Sequence, residues 1–428
     1  MLDNKFQKFL FHLTSLLTTW FPRAGAWFLN ALIAPILGNK ALVQVVHDKN
    51  LRTIQGVKQF KKILVIPDIH IGDAIMLQGA VMAFRDFFPE ARVDYIIKRS
   101  VACLVEGNPS VSNLYPYFTG TVFPAPSDIQ SIQKLVQENQ YDLCFNCSPF
   151  FEDNRLFPKG QRRLDFMTVA PRLVRNDIDR TGLNHFMTQS YEFVNDLLRQ
   201  AVPSRPAKAF RGVEVYLSDN AFKEANTFLK ANGISEDKPI VFLNPDTASI
   251  FTRIPFEKQL ELLRRLAQMP VQILVGSAYT FKGTEKQLVE GLGAEERSKV
   301  TIVPTTLSLD AYNALIDLVD VFITGDTGPM HMAAARKMSK SGNIKFRNKT
   351  FVICVFGATP ARMSGYDSTN PLYPPANQDT ISRTYVSESP CRNITCVNKM
   401  VKTCKDVRCF EVLDLSAIIG DIKTHLKI

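Results

Sequence analysis

An α/β fold built on two doubly wound parallel sheets is what this sequence predicts, and three observations predict it. Short apolar, β-branched runs such as Ile63–Ile66, Val93–Ile97, Ile240–Leu243, Val321–Thr324 and Phe351–Phe356 alternate with amphipathic helical stretches. Strands of that composition are buried on both faces, as in a parallel sheet covered by helices. The alternation runs twice, and the break at Pro203-Ser204-Arg205-Pro206 reads as an interdomain linker. Finally, 428 residues suffice for roughly two large domains, each with an ample core. Two Rossmann-like halves joined by a linker place a cleft between them, at the carboxyl ends of both sheets.

Taken in order, residues 4–21 read as an amphipathic helix. Phe6, Phe9, Leu10, Leu13, Leu16, Leu17, Trp20 and Phe21 share one face, opposite Lys5, Lys8 and His12. With the apolar stretch Trp27–Leu37, residues 4–37 offer a peripheral membrane contact, or equally a helix packed on the protein's own body. A signal peptide is disfavoured by Arg23 and by the polar interruptions of the apolar core.

The first strand, Ile63–Ile66, leads through Ile71-Gly72-Asp73 into a helix that stops at Phe88-Pro89. Val93–Ile97 is the next strand. A short strand near Val111, a helix at about 127–138 and a strand at Asp142–Asn146 follow. Residues 150–185 are Arg-rich and irregular, and a helix spans about 188–199. In the second half, Ile240–Leu243 is a strand and Asn244–Phe256 a loop, and Phe256, Leu260, Leu263 and Ala267 mark a buried helix face. Strands at 271–275 and 300–303 alternate with helices at 283–291 and 308–317. Residues 336–350 read as a basic insertion, and a helix at about 411–426 closes the chain.

The stretch VFITGDTGPMHMAAA (Val321–Ala335) organises the second half: a strand, a Gly-Asp-Thr-Gly turn and the first turns of a helix. Asp326 or Thr327 can cap that helix, and Pro329 is tolerated in its first turn. Free N–H groups at such a helix start favour an anion, and glycine lets backbone approach it closely. The residues facing a phosphate would be these N–H groups and His331, with Asp326 capping or binding a hydroxyl. An ordinary strand–turn–helix of a Rossmann-like sheet is the alternative.

Composition narrows the partners. Hydrophobic content of 46% with 21% charged residues fits a soluble globular protein, and no apolar run is long enough to span a bilayer. A net charge of +10 suggests an anionic partner. With no DNA- or RNA-binding motif beside it, nucleic acid is not expected. Asp177-Ile178-Asp179 has the form of a metal-binding D-x-D but sits among Arg172, Arg175 and Arg180, so a solvated salt-bridge cluster is expected there. Cys103, Cys144, Cys147 and Cys354 read as reduced core residues. Cys391, Cys396, Cys404 and Cys409 cluster near the end. Four thiolates so close can hold zinc or iron tetrahedrally as a structural metal, with disulfides or unligated thiols as the alternatives.

Three stretches resemble glycosyltransferase family 9, the ADP-heptose:lipopolysaccharide heptosyltransferases. They are ILVIPDIHIGDAIMLQGAVMAFRDFFPEARVDYIIK at 63–98, FLNPDTASIFTRIPFEKQLELL at 242–263, and the 321–335 stretch with its Asp-Thr-Gly-Pro-Met-His. The resemblance implies a GT-B architecture: an N-terminal helical extension (1–60), an acceptor-binding domain (61–205), a nucleotide-sugar domain (206–410) and a last helix (411–428) that can cross back to the first domain. It implies an inverting, metal-independent transfer of heptose from ADP-heptose to a hydroxyl of an anionic lipopolysaccharide inner core, in the cytoplasm, on the inner face of the membrane. No cofactor is required for catalysis. A protein acceptor, or a catalytically decayed nucleotide-sugar-binding protein, are the other functions compatible with it.

The family's general base falls on Asp73, following Gly72. Such help is worth about 10²- to 10⁴-fold, and an unperturbed Asp, with a pKa of about 3.9, is a weak base at neutral pH unless it is buried. A helix N-cap is its structural alternative. The pyrophosphate contacts fall on Thr327, Gly328 and His331, with Asp326 nearby. In the donor loop, Asn244, Asp246, Thr247 and Thr252 take substrate-binding positions. Where the family carries a lysine before Trp-Pro, this sequence reads Thr252-Arg253-Ile254-Pro255, so Arg253 stands in as the catalytic cation with a different geometry. Glu285 falls where family members hold the nucleoside ribose.

Overall fold

The computed structural model describes residues 50–57, 59–66, 71–117, 126–147, 157–158, 160–165, 186–203, 210, 212–235, 237–247, 252–278, 283–338, 350–357, 361–366, 383–386 and 408–428. The chain divides into two compact units, 1–210 and 211–428. The expected N-terminal amphipathic helix, the Asp177-x-Asp179 pair, most of the linker at 203–206 and most of the Arg-rich 150–185 stretch lie outside the described residues. Among the described residues no helix is long and apolar enough to cross a membrane.

The first unit holds a five-stranded parallel sheet in the order β3-β2-β1-β4-β5. Its strands are β1 (Lys62–Ile66), β2 (Arg92–Lys98), β3 (Asn113–Tyr117), β4 (Leu143–Asn146) and β5 (Arg163–Asp165). Ile63 to Ile66 are fully buried, as a strand covered on both faces requires. β1 pairs with β2 on one side (Ile63 opposite Val93) and β4 on the other (Ile63 opposite Leu143). Its carboxyl end is therefore the place where strand order reverses.

The single helix expected after β1 is two: α1 (Ile71–Met76) and α2 (Gln78–Phe87). The break falls at Leu77, and the second helix opens with Gln78. Its side chain is buried, donates to the Leu104 carbonyl at 3.2 Å and accepts from Asn108 at 2.8 Å. After α3 (Pro126–Asn139), α4 (Phe186–Ala201) packs along α2. The buried Ser190 hydroxyl donates to the Met76 carbonyl at 2.9 Å.

The second unit holds six parallel strands in the order β11-β10-β9-β6-β7-β8. These are β6 (Ile240–Leu243), β7 (Gln272–Val275), β8 (Val300–Ile302), β9 (Val321–Gly325), β10 (Phe351–Phe356) and β11 (Arg383–Val386). β6 pairs with β7 and with β9, so strand order reverses between β6 and β9. Helix α5 (Asp219–Ala231), absent from the sequence reading, begins at Ser218, whose hydroxyl accepts from the Ala221 N–H at 3.1 Å. Helix α6 (Phe256–Ala267) buries Leu260, Leu263 and Ala267, as their spacing predicts. Helices α7 (Thr284–Glu290), α8 (Ala294–Arg297), α9 (Leu309–Leu318), α10 (Gly328–Met338) and α11 (Ala361–Ser364) follow in turn.

The last helix, α12 (Leu415–Leu426), packs on α6 within the second unit. Leu415, Ile418 and Ile422 sit in the same apolar core as Leu262, Leu263 and Leu266. Each such residue contributes about 1.5–3 kcal/mol when fully buried. His425 stacks on Phe351 at 4.8 Å between ring centroids.

Three residues assigned to a basic insertion, Arg336, Lys337 and Met338, prove to be part of α10. Arg336 is 1% exposed and binds the equally buried Asp317 of α9 through Nε at 2.8 Å, while its Nη1 donates to the Val215 carbonyl at 2.6 Å. Lys337 follows it, and burial lowers its ammonium pKa to about 8. The remainder of that insertion, 339–349, lies outside the described residues.

Candidate active site

The carboxyl ends of β6 and β9 are adjacent, and the second unit's candidate residues gather there. The Asn244 N–H donates to the Ile323 carbonyl at 2.8 Å, extending the ladder one residue beyond the strand. Its buried side-chain amide donates to Thr324 Oγ1 at 3.0 Å and to the Asp246 carbonyl at 3.1 Å, and its oxygen accepts from the Tyr312 hydroxyl at 3.1 Å. Asn244 thus ties β6, β9 and α9 together at the site's floor.

Asp246 sits on this floor with its side chain wholly buried. One carboxylate oxygen, Oδ1, accepts from Arg253 Nη1 at 3.1 Å and from Thr284 Oγ1 at 2.7 Å. Arg253 keeps a fifth of its side chain exposed. The pairing holds a guanidinium, which would otherwise sweep a wide volume, at the rim of the floor. Thr252 closes the loop by donating to Thr247 Oγ1 at 2.9 Å.

The loop is seated by close approach of backbone to backbone: a Cβ on Gly325 would lie 2.3 Å from the Thr252 carbonyl oxygen. Glycine is required at that position for space rather than for a left-handed turn. Glu285, at the start of α7, is buried, and its Oε2 has no hydrogen-bond partner among the described residues. Its charge, after burial, helps push the Tyr312 phenol well above its usual range.

The strand, turn and helix predicted for 321–335 are present as β9, residues 326–327 and α10. The Met330 N–H donates to the Thr327 carbonyl at 3.0 Å, which tightens the first turn. Asp326, Thr327 and Gly328 are half-buried. The first N–H groups of α10 have no partner within the helix, and together with the helix dipole they favour an anion. Asp326 Oδ1 accepts from the Ser364 hydroxyl at 3.1 Å. His331 is 4% exposed, and its Nδ1 lies 2.5 Å from the Tyr366 hydroxyl.

Asp73 and Gly72 stand in the first turn of α1, just beyond the carboxyl end of β1 where the first sheet reverses its order. The Asp73 carbonyl accepts from the Leu77 N–H at 2.9 Å. Its carboxylate is near enough to Tyr95 that, after burial and Cys147, it helps raise that phenol's pKa.

The structure thus brings together Asn244, Asp246, Thr247, Thr252, Arg253 and Glu285 on one side of the β6/β9 junction, and Asp326, Thr327, Gly328 and His331 on the other. Asp73 and Gly72 belong to the first unit. Tyr366, Ser364, Tyr312 and Thr284 were not foreseen. Tyr366 lies 35 positions from His331 and reaches it because β10 runs parallel to β9, with Val355 opposite Gly325.

The metal expected at the cysteine cluster gains no support. Cys391, Cys396 and Cys404 lie outside the described residues, and Cys409 is 1% exposed in the apolar core beside Phe410 and Leu413. Among the described residues no group of three or more His, Cys, Asp or Glu side chains can hold a metal ion. Cys144, Cys147 and Cys354 are buried as expected, whereas Cys103 is only half-buried, and burial pushes the Cys144 thiol far up.

Comparison with known proteins agrees with this geometry. Residues 207–402 match the model of glycosyltransferase family 9 (heptosyltransferase). Lipopolysaccharide heptosyltransferase 3 of Escherichia coli (strain K12) is 21% identical over 294 residues, covering 67% of this chain and 80% of that protein. The structure of E. coli ADP-heptose lps heptosyltransferase II superposes with a TM-score of 0.59 at 16% identity, covering 85% of this chain and 98% of the other. A glycosyltransferase family 9 protein from Veillonella parvula DSM 2008 gives 0.60 at 16% identity, covering 86% and 97%. At such identities the superpositions establish the fold, two Rossmann-like units of the GT-B class. The matched residues 207–402 hold the whole second-unit site, so the part of the chain that carries the site is similar to glycosyltransferase family 9, the heptosyltransferases.

Proposed function

We propose that the protein moves a heptose from ADP-heptose to a hydroxyl of the lipopolysaccharide inner core, with inversion and without a metal ion, on the cytoplasmic face of the membrane. The observation that carries this reading is the junction of β6 and β9. A tethered guanidinium, Arg253, stands on one side of it and a helix N-terminus with a buried imidazole on the other. Charge accumulates on the departing diphosphate in the transition state, and donors fixed beforehand stabilise it there without reorganising.

In this reading Thr327, Gly328 and His331 contact the diphosphate and Arg253 takes the role of the family's lysine. Glu285, whose Oε2 has no hydrogen-bond partner among the described residues, accepts from a nucleoside hydroxyl. Asp73 takes the proton from the acceptor hydroxyl as that oxygen attacks the anomeric carbon. The net charge of +10 fits a phosphorylated acceptor. The relatives support the donor and acceptor classes through what they are described as acting on, ADP-heptose and lipopolysaccharide.

The test is ADP release measured with ADP-heptose and lipopolysaccharide inner-core acceptor, together and singly, in the wild type and in Asp73→Asn. Release that requires both substrates, and that falls by about 10²-fold or more in the variant, supports the scheme. An Asp73→Asn enzyme with wild-type turnover removes Asp73 as the base. Thermal-shift screening with ADP-, UDP-, GDP- and CMP-sugars tests the donor independently.

A further inference from the structure

The buried pair formed by His331 and Tyr366 is not explained by binding alone. The Tyr366 ring is 1% exposed and meets the imidazole edge-to-face, with centroids 5.5 Å apart and planes at 78°. Its hydroxyl lies 2.5 Å from Nδ1, in direct hydrogen-bonding contact. The segment that carries it, 361–366, is bonded to the turn at a second point, where Ser364 donates to Asp326 at 3.1 Å. Two bonds from one segment fix both ends of the Asp326–His331 turn.

A neutral imidazole carries one proton, and whichever nitrogen holds it is set by what the other nitrogen does. If Nδ1 holds the proton, Nε2 presents a lone pair, which repels an anion. If Nδ1 accepts instead, Nε2–H is a donor. Burial keeps the Tyr366 phenol protonated, since its pKa is driven well above the usual range, with nearby Cys354 and Asp326 adding to the effect.

We propose that Tyr366 is a positioning residue for the transfer reaction: its O–H donates to His331 Nδ1 and holds the proton on Nε2, where it serves as a donor to a diphosphate oxygen. The second half of this statement rests on the reading of the site given above; the first half does not.

The tautomer is read without substrate. Protein labelled with ¹⁵N in its histidine rings, with the His331 signal identified by its loss in His331→Gln, is expected to show Nε2 protonated and Nδ1 bare. A protonated Nδ1 in the wild type overturns the proposal, whatever the enzyme's activity. Tyr366→Phe is expected to give a mixed or reversed tautomer. Its kcat should fall by about 10- to 100-fold while KM for the donor changes much less, because the lost interaction matters most as charge builds on the leaving group. The same substitution in a His331→Gln background should have little further effect. Additive losses, or an unchanged tautomer in Tyr366→Phe, reject Tyr366 as the positioning residue. Should Tyr366→Phe fail to fold, the wild-type tautomer decides. The correct tautomer in a protein that transfers no heptose would reject the functional reading and leave the Tyr366–His331 assignment standing.

Discussion

Replacing Gly325 by alanine asks whether the loop carrying Arg253 is seated by the end of β9. Gly325 lies in extended strand backbone, so the added methyl group introduces no conformational strain and the effect is one of space. The new Cβ would sit 2.3 Å from the Thr252 carbonyl oxygen and 3.3 Å from Thr247 Cγ2, where ordinary contact begins at 3.4 Å. The obstructing atom is backbone, so strand and loop must part by about 1 Å; overpacking of this kind costs about 1–3 kcal/mol. Arg253 is the next residue, and its 3.1 Å bond to Asp246 has no such slack. Displacement of a catalytic group by about 1 Å costs on the order of 100-fold in rate.

Two measurements check this. Thermal denaturation should show Tm lowered by about 2–4 °C for each kcal/mol lost in a unit of this size. Initial rates with the proposed donor, ADP-heptose, should show kcat/KM reduced by about 100-fold, with the fold retained by circular dichroism. A Gly325→Ala enzyme with wild-type Tm and kcat/KM would refute the claim that this approach positions the loop.

Other perturbations follow from the same geometry. Asp246→Ala removes the acceptor shared by Arg253 and Thr284, and should reduce kcat/KM by about 10- to 100-fold with a modest loss of stability of about 1–3 kcal/mol, read by urea denaturation and initial rates. Asp317→Ala leaves the Arg336 guanidinium buried without its carboxylate. It should cost about 3–5 kcal/mol in urea denaturation, part of which Arg336→Met in the same chain should restore. Lys337 has a folded pKa of about 8 against an ordinary value of 10.5, so as pH falls the unfolded chain takes up this proton first. Its contribution therefore erodes stability as pH drops from 10.5 towards 8 and is constant below that. Lys337→Met should abolish this slope and stabilise the protein at pH 7 by about 1–2 kcal/mol, allowing for the side chain's partial exposure, as measured by denaturation across that pH range.

Much of the architecture was legible in residue order because it depends on local pattern. Runs such as Ile63–Ile66 and Val321–Thr324 can only be buried strands, and Leu260, Leu263 and Ala267 share a face through helical periodicity alone. The turn at 325–328 announced itself through its glycines and the proline of the first helical turn. Local pattern was misleading where a polar residue had a distant partner. The helix after β1 is interrupted at Leu77, and the polar Gln78 that follows is buried because Leu104 and Asn108 satisfy its amide. Arg336 looked like one cation in a basic run, yet it is buried against Asp317, 19 positions earlier. The last helix carries an apolar face, and nothing in that face names α6 as its partner.

For the site, residue order alone determined which residue types follow the strands: Asp73 after β1, the Asn244–Arg253 loop after β6, and Asp326–His331 after β9. Parallel strand order decided what those residues do to one another, because it sets side by side segments that are tens of positions apart in the chain. Only then does Asp246 meet Thr284, Asn244 meet Tyr312, and His331 meet Tyr366. Hydrogen bonds act over about 3 Å and are blind to sequence separation, so the partners that fix a donor's direction or an imidazole's tautomer exist only once the sheet has formed.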